Sequence, residues 1–159
     1  MNMIEEMSFV SRLSTGAPNR RKAILVVEDD PQLRNIYGTV LRNAGYLVSS
    51  EGNGEAGWLQ LCGKHFDLLI TDNEMAGLSG LDLVRRIRKQ APELPIMMIS
   101  GALPWEASDF IVLMKPGSTL DKPFPIATLL KDVATLIQAL GPEPVLPRGP
   151  SCHLLRRAA

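Results

Sequence analysis

The sequence predicts a doubly wound α/β domain on a five-stranded parallel sheet, and two observations carry that reading. Ala23–Val27 and the Leu68-Leu69-Ile70 stretch are short, wholly apolar runs, typical of strands buried on both faces. Such runs alternate with segments whose apolar residues recur at helical spacing, the order that lays helices over both faces of a parallel sheet.

Taken in order, Ala23–Val27 is the first strand. Leu33, Ile36, Tyr37, Val40 and Leu41 then form the inward stripe of an amphipathic helix that ends near Asn43-Ala44-Gly45, where glycine suits the C-terminal cap. Tyr46–Ser50 reads as the second strand, Glu55–Gly63 as the second helix and Phe66–Thr71 as the third strand. Ser79–Gln90 is the third helix, with Leu83, Val84 and Ile87 inward, and Pro95–Ile99 is the fourth strand. Trp105–Met114 is a weaker helix, and Thr119–Asp121 a short fifth strand. Pro125–Leu140 closes the series, with Ile126, Leu129, Leu130, Val133, Ile137 and Leu140 as its stripe and Pro125 in the first turn.

The domain so defined covers 22–140. Residues 1–21 read as a flexible leader, although Met3, Met7 and Val10 share one helical face and could dock. Residues 141–159 hold prolines at 142, 144, 147 and 150 and read as an unpacked tail, its basic end at Arg156-Arg157 solvated. Too little chain follows Leu140 for an output domain, so the expectation is a stand-alone unit. Lys+Arg and Asp+Glu stand at 17 each among 159 residues, a balance that argues against a general nucleic-acid or membrane-surface binder. The start lacks a secretory signal, and no run of about 18 apolar residues exists to insert in a membrane, so the expected location is the cytoplasm. Cys62 and Cys152 fit neither a C-x-x-C nor a metal spacing, and no structural disulfide is expected.

In such sheets a ligand site forms beyond the carboxyl ends of the strands, where strand order reverses. Strand one ends in Glu28-Asp29-Asp30 and strand three in Thr71-Asp72. On adjacent central strands these carboxylates would converge, repel and call for a hard divalent cation such as Mg²⁺. The alternative is that each caps the next helix, and Asp30 before Pro31 suits that role. Strand four ends in Ser100-Gly101, a hydroxyl donor beside a residue that leaves room for a bulky group. Strand five ends in Lys122-Pro123-Phe124 and adds a positive charge over the same edge. Lys115-Pro116 repeats the dipeptide, but Lys115 ends the weak helix and is expected to be solvated. Metal, carboxylate, hydroxyl and lysine on one edge suit phosphoryl transfer, with Asp72 as a nucleophile that forms an acyl phosphate.

Four blocks in order, Ile24-Leu-Val-Val-Glu-Asp-Asp30, Asp67-Leu-Leu-Ile-Thr-Asp-Asn-Glu-Met-Ala-Gly-Leu-Ser-Gly80, Pro95-Ile-Met-Met-Ile-Ser-Gly101 and Asp121-Lys-Pro-Phe124, resemble the receiver domain of bacterial two-component response regulators. The resemblance implies a flavodoxin-like sheet of order 2-1-3-4-5 with five helices. By position it implies Asp72 as phosphoacceptor, Asp29 as main metal carboxylate, and Glu28 acting on the metal through water. Glu74 would lend a backbone carbonyl to Mg²⁺, Ser100 would be the switch hydroxyl, and Lys122 the lysine that contacts the phosphoryl group. It further implies a histidine kinase or phosphotransfer protein as donor and a downstream protein as target. The only catalysis implied is self-phosphorylation by small donors and self-dephosphorylation. A change in Trp105 fluorescence with metal or phosphoryl binding is expected from its closeness to Ser100.

Two positions depart from the family pattern: Ala76 stands where proline is usual, and Thr119 where an aromatic often swings on phosphorylation. They leave open a receiver-like binding module that no longer uses phosphate. A magnesium-dependent phosphatase is the other alternative, but Glu-Asp-Asp after the first strand does not supply its usual D-x-D nucleophile motif.

Overall fold

The computed structural model describes residues 20–141. The expected leader up to residue 19, with its docking face, and the tail from 142 onward, with Cys152 and the Arg156-Arg157 end, lie outside the described residues. The elements alternate throughout: β1 (Ala23–Val27), α1 (Pro31–Asn43), β2 (Leu47–Glu51), α2 (Gly54–Gly63), β3 (Leu68–Asp72), α3 (Gly80–Arg88), β4 (Ile96–Ser100), α4 (Phe110–Leu113), β5 (Gly117–Asp121) and α5 (Ile126–Gln138). The five strands form one parallel sheet of order β2-β1-β3-β4-β5, the flavodoxin-like arrangement.

Because strand side chains alternate between faces, the apolar runs split into two cores. Leu25, Val27, Leu69 and Met98 pack with Trp58, Leu61, Leu83, Val84, Ile87 and Phe110 beneath α2, α3 and α4. Ile24, Val26, Leu68, Ile70, Met97 and Ile99 pack with Tyr37, Leu41, Leu129 and Val133 beneath α1 and α5. Register then sets the site. Val27 lies opposite Thr71, so Glu28 emerges level with Asp72. Ser100 lies opposite Asp121, which puts Lys122 one residue beyond the same edge.

Several details differ from expectation. Ile36 is exposed although it falls on the α1 apolar stripe, because Tyr37 and Leu41 fill the contact with the sheet. Pro125 caps α5 from outside with extended backbone. Asp30 does cap α1, its Oδ1 accepting from the N–H groups of Gln32 and Leu33. The weak fourth helix shrinks to Phe110–Leu113, because residues 103–110 close short turns: Trp105 N–H reaches Leu103 O, Ala107 N–H reaches Pro104 O, and Phe110 N–H reaches Ala107 O. Cys62 is disulfide-bonded, against the expectation from spacing; separation along the chain says nothing about approach in space.

Two arginines of α3 fasten this shortened segment. Arg85 holds Asp109, at the start of α4, through two hydrogen bonds of 2.8 Å. Arg88 donates to four backbone carbonyls, Pro92, Leu94, Leu113 and Pro116. Burial draws the Arg88 guanidinium down to about 10, yet it stays charged near neutrality.

Asp67, just ahead of β3, ties the sheet to the chain entering β1. Its carboxylate accepts from Ala23 N–H at 2.7 Å and from Arg20 Nη2 at 2.9 Å, with Lys22 and His65 close by. Burial acts to raise this carboxyl, but the Ala23 and Arg20 hydrogen bonds outweigh it and hold the group below the ordinary aspartate range. A lowered folded-state pKa contributes stability that is present above the unfolded value of about 3.9 and is lost as pH falls through the folded value. Asp67→Asn should therefore lower unfolding stability near neutrality by about 2 kcal/mol and flatten its fall below pH 4. Urea melts over a pH series test this, and an unchanged acid limb would remove Asp67 from the account.

Candidate functional site

At the carboxyl edge of the sheet, Glu28, Asp29 and Asp72 each present a carboxylate oxygen, all within 4.8 Å of one another. Glu28 and Asp72 are buried, whereas Asp29 is exposed. Lys122 Nζ lies between the buried pair, donating to Glu28 Oε2 at 3.0 Å and Asp72 Oδ2 at 2.9 Å. The other Asp72 oxygen accepts from the backbone N–H of Glu74 at 3.0 Å. Asp72 is thus oriented from two sides, by a charge from β5 and by the loop that follows β3.

The electrostatics follow from the charges that meet. Three carboxylates face one ammonium, which leaves a surplus of negative charge. Burial raises the Glu28 carboxyl and the Asp72 charge raises it further, while the Lys122 hydrogen bond opposes without reversing the shift. Burial disfavours the Lys122 ammonium, but its hydrogen bonds to Asp72 and Glu28 prevail and hold it above the ordinary lysine value. The donor set is all oxygen, compact and negatively charged, so the residues present fit a hard divalent cation.

The remaining candidates take less direct positions. Ser100 is fully buried and its hydroxyl is committed to Ala102, donating to the carbonyl at 3.1 Å and accepting from the N–H at 3.2 Å. A Cβ on Gly101 would stand 3.4 Å from Glu74 Oε2, so the exposed Glu74 side chain leans over the space expected to be open. Thr119 lies in β5 opposite Met98. Lys115 is exposed, as expected. Trp105 is 57% exposed and meets Phe110 edge-on at 5.1 Å.

Sequence reasoning passed over two residues that build the edge. Asn73 ties the loop after β3 to the start of α3, its Oδ1 accepting from Leu81 N–H and its carbonyl from Gly80 N–H. Arg34 of α1 donates to the carbonyls of Glu28 and Asp29. Both act through backbone groups, which residue type alone does not signal. The nearest signal was local: Asn73 lies between two acidic neighbours in the block that carries Asp72.

The family model for the response regulator receiver domain matches residues 24–134. The chain belongs to that family. This receiver is 31% identical over 118 residues to the response regulator receiver protein CpdR of Brucella abortus, an alignment that covers 74% of the chain and 98% of CpdR. Among solved structures it is similar to the response regulator protein TrrA of Thermotoga maritima in complex with Mg²⁺-BeF, with TM-score 0.66, 29% identity, and 72% of this chain and 98% of that one covered. A structure of TrrA in complex with histidine kinase ThkA is also similar, with TM-score 0.65, 29% identity and coverage of 72% and 97%. As a receiver domain, the chain is a module of two-component signalling with the phosphoacceptor role of that class. Among the described residues no helix is long and apolar enough to cross a membrane.

Proposed function

We propose that Asp72 accepts a phosphoryl group from a histidine kinase or phosphotransfer protein, and that the modified domain switches its contacts with a downstream protein in the cytoplasm. The observation that carries this reading is Lys122 bridging Asp72 and Glu28 at the strand edge. An Asp72 oxygen attacks phosphorus as the bond from phosphorus to the donor atom breaks, and the electron pair leaves with the donor. The phosphoryl oxygens then compete for the Lys122 ammonium. Ser100 exchanges its hydrogen bonds to Ala102 for one to the new anion, which loosens the loop after β4.

Glu28, Asp29, Asp72 and the Glu74 carbonyl would hold Mg²⁺, which when bound neutralises charge that builds on the phosphoryl oxygens. The TrrA complex with Mg²⁺-BeF and the TrrA–ThkA complex support metal and kinase by similarity. We propose no catalysis on other substrates beyond self-phosphorylation and self-dephosphorylation. Thr119 rules out an aromatic swing from that position, so output runs through the loop and α4.

Incubation with Mg²⁺ and a small acyl-phosphate donor should add one phosphoryl group by intact mass, and Asp72→Asn should abolish the gain. No gain in the wild type, with small donors and with histidine kinases, would favour the phosphate-independent binding module. A gain that persists in Asp72→Asn would move the acceptor elsewhere.

A further inference from the structure

Arg34 lies outside the carboxylate cluster, yet its guanidinium reaches the backbone that carries two members of it. Nη1 donates to Glu28 O at 2.6 Å and to Asp29 O at 3.1 Å. These carbonyls belong to the turn between β1 and α1, where the chain has left the sheet ladder and has not yet entered the helix. The turn's other ties are weaker or lie at its ends: Glu28 N–H reaches Glu51 O at 3.1 Å, and Asp30 N–H reaches Glu28 Oε1 at 3.4 Å. Arg34 is itself placed by α1, its N–H bonded to Asp30 O at 2.9 Å, so a rigid helix sets the guanidinium position.

We infer that Arg34 is a positioning residue for the metal site, holding the Glu28–Asp29 turn so that both carboxylates face Asp72. The inference rests on the proposed use of that cluster for a divalent cation. Asp29 is the exposed carboxylate of the three, so the orientation of its backbone does most to decide where its side chain points. One nitrogen that spans two consecutive carbonyls fixes that orientation directly.

Gly52, which follows β2, belongs to the same device. A Cβ built there would lie 3.2 Å from Arg34 Nη1 and 3.5 Å from Arg34 Cζ. A side chain at 52 would therefore crowd the guanidinium away from the turn without altering any charge.

The sign of the effect separates positioning from simple electrostatics. As a positive charge near the site, Arg34 repels a cation, and its removal would strengthen metal binding. As a positioning group, its loss weakens binding, by about tenfold for a partner that orients ligands. The experiment is titration of the metal-free full chain with MgCl₂, followed by amide ¹H–¹⁵N shifts of the site residues. Arg34→Gln and Gly52→Val should each raise the Mg²⁺ dissociation constant by about tenfold. Arg34→Lys, which keeps charge and one donor group, should fall between Arg34→Gln and the wild type. Phosphoryl uptake in Arg34→Gln should return toward the wild-type level once Mg²⁺ saturates, a recovery that general unfolding would not give. Unchanged or tighter Mg²⁺ binding in Gly52→Val, or tighter binding in Arg34→Gln, would overturn the inference. Should Arg34→Gln fail to fold, Gly52→Val decides alone. If the wild type itself does not bind Mg²⁺, the metal reading of the cluster fails first, which is a distinct result.

Discussion

Lys122→Met should lower unfolding stability by about 3 kcal/mol in EDTA, and added Mg²⁺ should return a larger share of stability to the variant than it adds to the wild type. The ammonium is the group that meets both buried carboxylates, at 3.0 and 2.9 Å. Without it Glu28 and Asp72 face each other uncompensated, and an unpaired buried charge costs more than the pair contributes. Burial, the largest influence on the Glu28 carboxyl, and the Asp72 charge both raise it. The two lowering influences of Lys122 vanish, and only the Asp30 N–H hydrogen bond, the smallest, still opposes them. A folded-state pKa raised above the unfolded one gives stability that is full below the unfolded value, about 4.3, and lost as pH rises through the folded value. The metal-free variant should thus lose more stability between pH 4 and neutrality than the wild type does. A divalent cation replaces the missing charge, and ligand binding to the folded state alone stabilises by mass action. Urea melts with EDTA and with excess Mg²⁺ measure both effects. Equal Mg²⁺ increments in the two proteins would mean that lysine and metal do not share these carboxylates.

Gly80→Ala should be as damaging, by a steric route. A Cβ at position 80 would fall 2.0 Å from the Asp72 carbonyl oxygen and 2.8 Å from Asn73 Cα, both backbone atoms that cannot turn aside. The start of α3 must back away, and the bonds from Gly80 N–H and Leu81 N–H to Asn73 stretch with it. Overpacking of this kind costs about 3 kcal/mol. Displacing the acceptor backbone should also slow phosphoryl uptake by roughly tenfold to a hundredfold. Gly77→Ala is the comparison. Gly77 has φ of +79° and no atom within 4 Å of a built Cβ, so only backbone strain of about 1 kcal/mol applies. Intact-mass time courses and melts on both variants test the contrast; wild-type uptake in Gly80→Ala would show that α3 does not set the acceptor position.

The strand–helix alternation was legible because strands buried on both faces need uninterrupted apolar runs, and Ala23–Val27 matches its observed bounds. The convergence of Glu28, Asp29, Asp72 and Lys122 was legible because parallel strands all deliver their carboxyl ends to one edge. Other features depend on information that side-chain periodicity does not carry. Whether Trp105–Asp109 is helical turns on a few backbone hydrogen bonds, and there the short turns won. The Ser100 rotamer is decided by the nearby Ala102 backbone. Asp67, Arg34 and Arg88 take backbone partners, and a backbone amide or carbonyl is the same at every position of the sequence.

The two α3 arginines also divide the β4–β5 connection mechanically. Arg88 pins its far end at Leu113 and Pro116, and Arg85 clamps its middle at Asp109. The near end is held at Ser100 by hydrogen bonds to Ala102. A change at Ser100, as proposed, would therefore fall first on residues 101–108, the stretch between the Ser100 and Arg85 ties. Trp105 lies in that stretch, and its ring meets Phe110 of α4 edge-on at 5.1 Å, so a displacement there would reach α4 through the ring pair. If Ser100 lets go as proposed, α3 is the anchor against which that stretch moves, so the same helix that backs Asp72 through Gly80 also fixes the far side of the loop.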